Sequence, residues 1–172
     1  TNFANCNFQK SVFTQTLGSL LAAKFNPTGK LFATAIENKI YLWEVNTIQQ
    51  LFQLNGHTAW VESLAFHPDG KILATGSDDN TIKLWDVNTG EEFVTLTGHS
   101  WSITALVFNF DGTLLISASK DKTVKVWQVS NTEEITTLSG HTDSVTSIAI
   151  ANADTQIIVS GSKDKTIKIW EL

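Results

Sequence analysis

The chain contains neither methionine nor arginine. All 12 basic residues are therefore lysines, set against 17 Asp plus Glu, and the formal net charge is −5. A phosphate-binding surface recruits clustered basic residues, bidentate arginine above all, so this composition argues against nucleic acid as a partner. Without Met the chain also lacks the residue that starts translation, and the expectation is a trimmed product or a piece of something longer. Cysteine is nearly absent. The single Cys6 excludes an intrachain disulfide and a cysteine-based zinc site, and fits a reducing, cytoplasmic compartment. No apolar run approaches the roughly 18 residues that span a bilayer, so no membrane partner is expected. The polar start, Thr1 to Lys10, does not look like a signal peptide. What remains is a globular composition: 172 residues, 42% hydrophobic and 17% charged, enough for a real core.

The strongest signal present is a period. Trp43, Trp85, Trp127 and Trp170 are separated by 42, 42 and 43 residues, and Gly56-His57, Gly98-His99 and Gly140-His141 by 42 and 42. Within the second repeat, Val61 to Phe66 alternates as a strand does, and His67-Pro68-Asp69-Gly70 carries turn chemistry. Lys71 to Ser77, Thr81 to Asp86 and Glu92 to Leu96 read as three further strands, separated by Asp78-Asp79-Asn80 and Asn88-Thr89-Gly90. Four short strands with turn residues about every ten positions indicate antiparallel β structure.

A period of about 40–45 residues with this Gly-His and Trp signature resembles the WD40 repeat, whose unit is one four-stranded propeller blade. The resemblance covers Thr14 to Leu172 as repeats over about 14–55, 56–97, 98–139 and 140–172, after a lead over 1–13. It implies an all-β fold of WD40-type β-propeller blades, four antiparallel strands in each and four blades per chain. Such rings usually have more blades, so the expectation is a partial propeller, or half of an eight-bladed ring made by two chains. The first repeat is degenerate: Thr16, Ile36 and Asn38 stand where the others have His, Ser and Asp, so it should be the loosest blade. The fourth carries an extra residue in the hairpin from Ala151 to Gln156 and stops after its third strand, for which Ser11-Val12-Phe13-Thr14 is a candidate outer strand. Phe3, Phe8 and Phe13 are five apart and look like the tail of a pentapeptide-repeat segment. That combination resembles the C-terminal region of some large bacterial signalling NTPases.

The resemblance also implies a buried network in each complete repeat, joining a Gly-His histidine to a strand Ser, a turn Asp and the strand Trp. The residues are His57, Ser77, Asp79 and Trp85; His99, Ser119, Asp121 and Trp127; and His141, Ser162, Asp164 and Trp170. Ser, His and Asp are also the contents of a hydrolase triad. Three copies at one period fit a scaffold better than a single catalytic site, and no catalytic residue is assigned. No two histidines have metal-ligand spacing, no glycine-rich phosphate loop is present, and no cofactor is expected. His67, before a turn Pro, reads as a solvated loop residue.

Family top-face positions map onto Ser19, Leu21 and Glu37; Trp60, Glu62 and Asp78; Ser102, Thr104 and Lys120; and Ser144, Thr146 and Lys163. Trp60 and Trp101 fall outside the Trp series and are either binding anchors or packing against a neighbouring blade. Lys83, Lys125 and Lys168, with Tyr41 at the matching place, form a stripe that reads as solubilising strand surface. The function expected is a non-catalytic protein–protein interaction scaffold with an unidentified protein or peptide partner. A ligand-sensing tail of a signalling NTPase and a Ser-His-Asp hydrolase are the alternatives.

Overall fold

The computed structural model describes residues 19–151 and 157–172. Alternating β-branched and small residues form 15 strands there, and no helix. Blade 1 comprises β1 (Leu20–Phe25), β2 (Leu31–Ile36), β3 (Lys39–Glu44) and β4 (Gln50–Asn55). Blade 2 comprises β5 (Val61–Phe66), β6 (Ile72–Ser77), β7 (Ile82–Asp86) and β8 (Glu92–Leu96). Blade 3 comprises β9 (Ile103–Phe108), β10 (Leu114–Ser119), β11 (Thr123–Gln128) and β12 (Glu134–Ser139). Blade 4 holds β13 (Val145–Ile150), β14 (Ile157–Ser162) and β15 (Ile167–Glu171). Each blade is an antiparallel meander, with four strands in the first three and three in the last among the described residues. The candidate outer strand Ser11–Thr14, the five-residue phenylalanine period and the hairpin over 152–156 lie outside the described residues.

The blades stack through their first strands: β1 lies beside β5, β5 beside β9, and β9 beside β13. The cores therefore sit between blades, where each sheet buries the face it shares with its neighbour. Trp85 packs back onto Leu42, Ala33 and Leu54 of blade 1. Trp127 packs onto Ile82 and Leu84 of blade 2 beside its own blade's Ile103, Phe108 and Leu115. Trp170 lies against the third cluster, built from Leu114, Ile116, Val124, Val126 and Ile158.

Antiparallel pairing puts the His57 approach and the β6–β7 turn on one rim of the sheet, and the β5–β6 turn on the other. On that second rim His67 is not the solvated loop residue expected. Its Nε2 lies 3.0 Å from the Gly112 carbonyl, and its ring stands edge-on to Phe108 at 5.2 Å, so it bridges blades 2 and 3. Gly112 has φ 76° and lies against that ring, where any Cβ would collide with it.

Candidate functional site

The turn between the second and third strands of each complete blade is built around one aspartate. Asp121 Oδ1 accepts the Thr123 N–H at 3.0 Å and the Thr123 hydroxyl at 2.6 Å, which closes the turn. Its Oδ2 accepts the Ser100 N–H at 3.0 Å and the His99 Nδ1–H at 2.7 Å. His99 therefore carries its proton on Nδ1. Its Nε2 accepts from the Ser117 hydroxyl at 2.8 Å, and that oxygen in turn accepts the Trp127 indole N–H at 2.8 Å. Blade 2 repeats the chain as Trp85, Thr75, His57 and Asp79, with distances of 2.9, 2.7 and 2.7 Å. Blade 4 repeats it as Trp170, Ser160, His141 and Asp164, at 2.9, 2.9 and 2.8 Å.

One member of each expected network is displaced. Ser77, Ser119 and Ser162 do not join His to Trp; Thr75, Ser117 and Ser160, two residues earlier, do. Residues two apart on a strand share a face, so both hydroxyls point the same way. The ladder decides between them: Leu115 is opposite Trp127, and the indole N–H reaches one pleat along, to Ser117. The later serines shape the turn instead. Ser119 Oγ donates to the Trp101 carbonyl at 2.9 Å and accepts the Asp121 N–H at 3.0 Å, and Ser77 and Ser162 do the same for Ala59 and Asp143. In blade 1, Thr34 keeps the Trp43 indole contact at 2.9 Å, while Asn38 turns its amide to the His57 carbonyl at 3.3 Å.

Burial tunes the charges. Desolvation outweighs the Asp79 contact and lowers the pKa of His57, which favours its neutral form. Burial alone would raise Asp121, but hydrogen bonds from His99 and Thr123 override it and hold the carboxyl below the usual range. Asp79 is held down in the same sense against its own desolvation, by Thr81, His57 and Thr58. The Ser-His-Asp contacts resemble a hydrolase triad in order, but Ser117 and Ser160 are fully buried and each oxygen is occupied by an indole N–H. No group of three or more His, Cys, Asp or Glu is placed to hold a metal among the described residues.

The rim above these networks holds the candidate binding positions. The N–H groups of Asp78, Lys120 and Lys163 donate to the carbonyls of Trp60, Ser102 and Ser144 at 2.8, 2.9 and 2.9 Å, which fixes three pairs in matching places. The Val61 N–H reaches the Glu37 carbonyl of blade 1 at 2.7 Å. Ser19, Glu37, Thr146 and Lys163 are exposed, while Leu21, Glu62 and Ser144 are half-buried. Ser102 is buried, and the Thr104 hydroxyl is spent on the Val145 carbonyl of blade 4 at 2.6 Å. Trp60 and Trp101 are 50% and 61% exposed. Beside them Lys120 Nζ reaches Asp78 Oδ1 across the blade 2–3 seam at 3.1 Å. At the opposite rim a cleft of about 350 Å³ between blades 1 and 2 is lined by charges of both signs, Lys30 and Lys71 with Glu44 and Asp69.

The lysine stripe is not the open, solubilising surface expected. The side chains of Lys83 and Lys125 are only 12% and 11% exposed and are bound to Glu92 and Glu134, each at 2.8 Å. The signal was in the sequence, as Glu92 and Glu134 recur at the 42-residue period.

The family model described as "WD domain, G-beta repeat" matches residues 48–86, 90–128 and 132–171, together more than half the chain. An uncharacterized WD repeat-containing protein of Nostoc sp. is 47% identical over 58 residues, 33% of this chain and 4% of that protein. Nuclear distribution protein nudF 2 of Penicillium rubens is 37% identical over 67 residues, 39% of this chain and 13% of the relative. The human U5 small nuclear ribonucleoprotein 40 kDa protein is 41% identical over 74 residues, 42% of this chain and 18% of the relative. The solved structure of U3-55K superposes with a TM-score of 0.84 at 27% identity, over 92% of this chain and 50% of the other. The matches thus span a small part of the curated relatives and half of the solved chain. Among the described residues no helix is long and apolar enough to cross a membrane.

Proposed function

Because the chain belongs to the WD40-repeat family, we propose that it is a non-catalytic protein-binding scaffold, working through the rim that carries Trp60 and Trp101. The observation that supports this reading is the exposure of two indoles, 50% and 61%, on an otherwise tightly bonded rim. Tryptophan combines a large apolar area with one hydrogen-bond donor and is enriched among residues that dominate binding energy. The backbone of Trp60 is bonded to Asp78, and that of Trp101 to the Ser119 hydroxyl, so neither anchor need be ordered at much entropic cost on binding. The Asp78–Lys120 pair supplies polar groups beside them. Relatives named for nuclear distribution and for a ribonucleoprotein particle are consistent with assembly roles. Trp60→Ala and Trp101→Ala are each expected to weaken partner binding by about tenfold or more with little change in thermal stability. The check is affinity capture with wild-type and variant chains in parallel. Equal recovery of the same proteins by all three would remove this rim from the reading.

A second copy as ring-completing partner is the reading favoured by the two end faces. Ile167 and Ile169 on blade 4 are 74% and 72% exposed, whereas their counterparts Ile82 and Leu84 are 1% exposed, covered by blade 3. On blade 1, Leu20 and Phe25 are 59% and 62% exposed, whereas their counterparts Ile103 and Phe108 are 0% and 7% exposed. The two open faces thus repeat the two sides of the blade 2–3 seam, which makes a head-to-tail contact between copies complementary. Light scattering should return about twice the chain mass of 18.9 kDa, and Ile169→Lys should return the single-chain mass. A wild-type monomer at high concentration would end this reading.

A further inference from the structure

The turns between the first and second strands of blades 1, 2 and 3 open on Asn26, His67 and Asn109. In blade 3 both ends of the Asn109 amide are placed. Its Oδ1 accepts the Leu114 N–H at 2.9 Å, and its Nδ2 donates to the Thr113 hydroxyl at 3.1 Å. In blade 2 the His67 ring reaches across the seam to the Gly112 carbonyl. Blade 1 repeats only half of this. Asn26 Oδ1 accepts the Leu31 N–H at 3.0 Å and the Thr28 hydroxyl at 3.2 Å, which fixes the orientation of the amide. Lys30 stands where blade 3 has Thr113, and an ammonium offers no acceptor. Asn26 Nδ2 is therefore left without an acceptor among the described residues, although Asn26 is only 8% exposed.

That free amide end faces the turn of blade 2, since a Cβ at Gly70 would stand 3.7 Å from it. Asn26 lines the cleft of about 350 Å³ at the blade 1–2 seam, and the same cleft gathers charges with open valences. The lysine–carboxylate pairs among the described residues are those of Lys83, Lys120 and Lys125, so Lys30 and Lys71 are unpaired. Glu44 uses Oε2 for the Thr47 hydroxyl, and Asp69 uses Oδ1 for the Lys71 N–H and for His67. Each of these acids keeps a second oxygen with no hydrogen bond among the described residues. An amide N–H beside two ammonium groups fits an anionic acceptor, and two open carboxylate oxygens fit a cation. The four charges sum to zero, so a ligand of both signs and no net charge leaves the cleft balanced. Its volume is at the small end of ligand-binding clefts.

We propose that this cleft binds a free α-amino acid. The ligand carboxylate lies against Asn26 Nδ2 with Lys30 and Lys71 about it, and the ligand ammonium lies toward Glu44 and Asp69. The site is on the rim opposite Trp60 and stands whether or not that rim binds protein.

The test titrates the full, isotope-labelled chain with L-alanine, N-acetylalanine and alaninamide, read by amide NMR. L-alanine should give a saturable shift of the Asn26 side-chain amide and of the backbone of residues 26–30 and 69–71. N-acetylalanine lacks the ammonium and alaninamide lacks the carboxylate, and each should bind about tenfold more weakly. Lys71→Gln should weaken L-alanine by about tenfold. Lys30→Thr gives Asn26 the acceptor that Thr113 gives Asn109, so it should abolish the L-alanine shift while raising the melting temperature. Both lysines are exposed, so both variants keep the fold. Trp60→Ala should leave the titration unchanged. Absence of a saturable shift with L-alanine, equal affinity for either capped form, or an unaltered titration in Lys71→Gln overturns the proposal.

Discussion

Asp121→Ala should lower the unfolding free energy by about 3–5 kcal/mol at neutral pH, the largest single-residue effect expected in this chain. The carboxylate accepts four hydrogen bonds, two closing the β10–β11 turn and two tying the approach to β9. Without it the Nδ1–H of His99, whose side chain is 1% exposed, is left with only the longer contact to the Thr123 hydroxyl at 3.4 Å. The effect is pH-dependent with a definite sign. The folded pKa of Asp121 lies below its unfolded value of about 4. Its contribution is therefore complete above that value and is lost as pH falls through the folded pKa. The gap between wild type and Asp121→Ala should thus narrow in acid. Asp79 is depressed in the same way. His57, whose folded pKa is lowered, makes wild type and variant alike less stable in acid, since below about pH 6.5 the unfolded chain takes up a proton that folded His57 resists. Urea titrations at pH 7.5, 5 and 3.5 measure both parts. A constant gap across that range would mean that Asp121 is not ionised and bonded as described.

Ser117→Ala is expected to cost about 2–4 kcal/mol, because it strands two buried groups at once, the His99 Nε2 and the Trp127 indole N–H. Ser119→Ala should cost about 1 kcal/mol, since the two bonds it loses run to the backbone of Trp101 and Asp121, residues that are not themselves buried. Ser117→Thr should be close to wild type, because blade 2 uses Thr75 in the same role. Thermal unfolding of the three variants ranks them. A larger loss for Ser119→Ala than for Ser117→Ala would return the network to the serine that the sequence suggested.

That serine shows how far the sequence could be read. Trp, His and Asp are identified by type and by a strict period, and the structure brings each His–Asp pair within 2.8 Å or less. The hydroxyl is ambiguous because Ser117-Ala118-Ser119 offers two on one strand face, and only the β10–β11 register separates them. The strands of blade 2 were equally legible: β5 runs from Val61 to Phe66 as predicted, because the turns on either side have committed chemistry, although five of its six residues are buried and not one face alone. The lysines were misread for a different reason. Lys83 and Glu92 lie nine residues apart and meet only when β8 pairs with β7, so a charge that looks solvated alone becomes half of a partly covered ion pair. His67 was misread likewise, since its partners Phe108 and Gly112 belong to the next repeat.

His67 also has a mechanical consequence. It pins blade 2 to blade 3 at one rim, and Lys120 pins the same seam to Asp78 at the other. A seam held at both ends resists hinge-like opening in either sense, while among the described residues blades 1 and 4 expose apolar side chains such as Phe25 and Ile169. Opening should therefore proceed inward from the ends, and the central pair should behave as the slowest-exchanging cooperative unit. In that picture the two tryptophans of the rim ride on the part of the chain that moves least, because Trp60 belongs to blade 2 and Trp101 to blade 3.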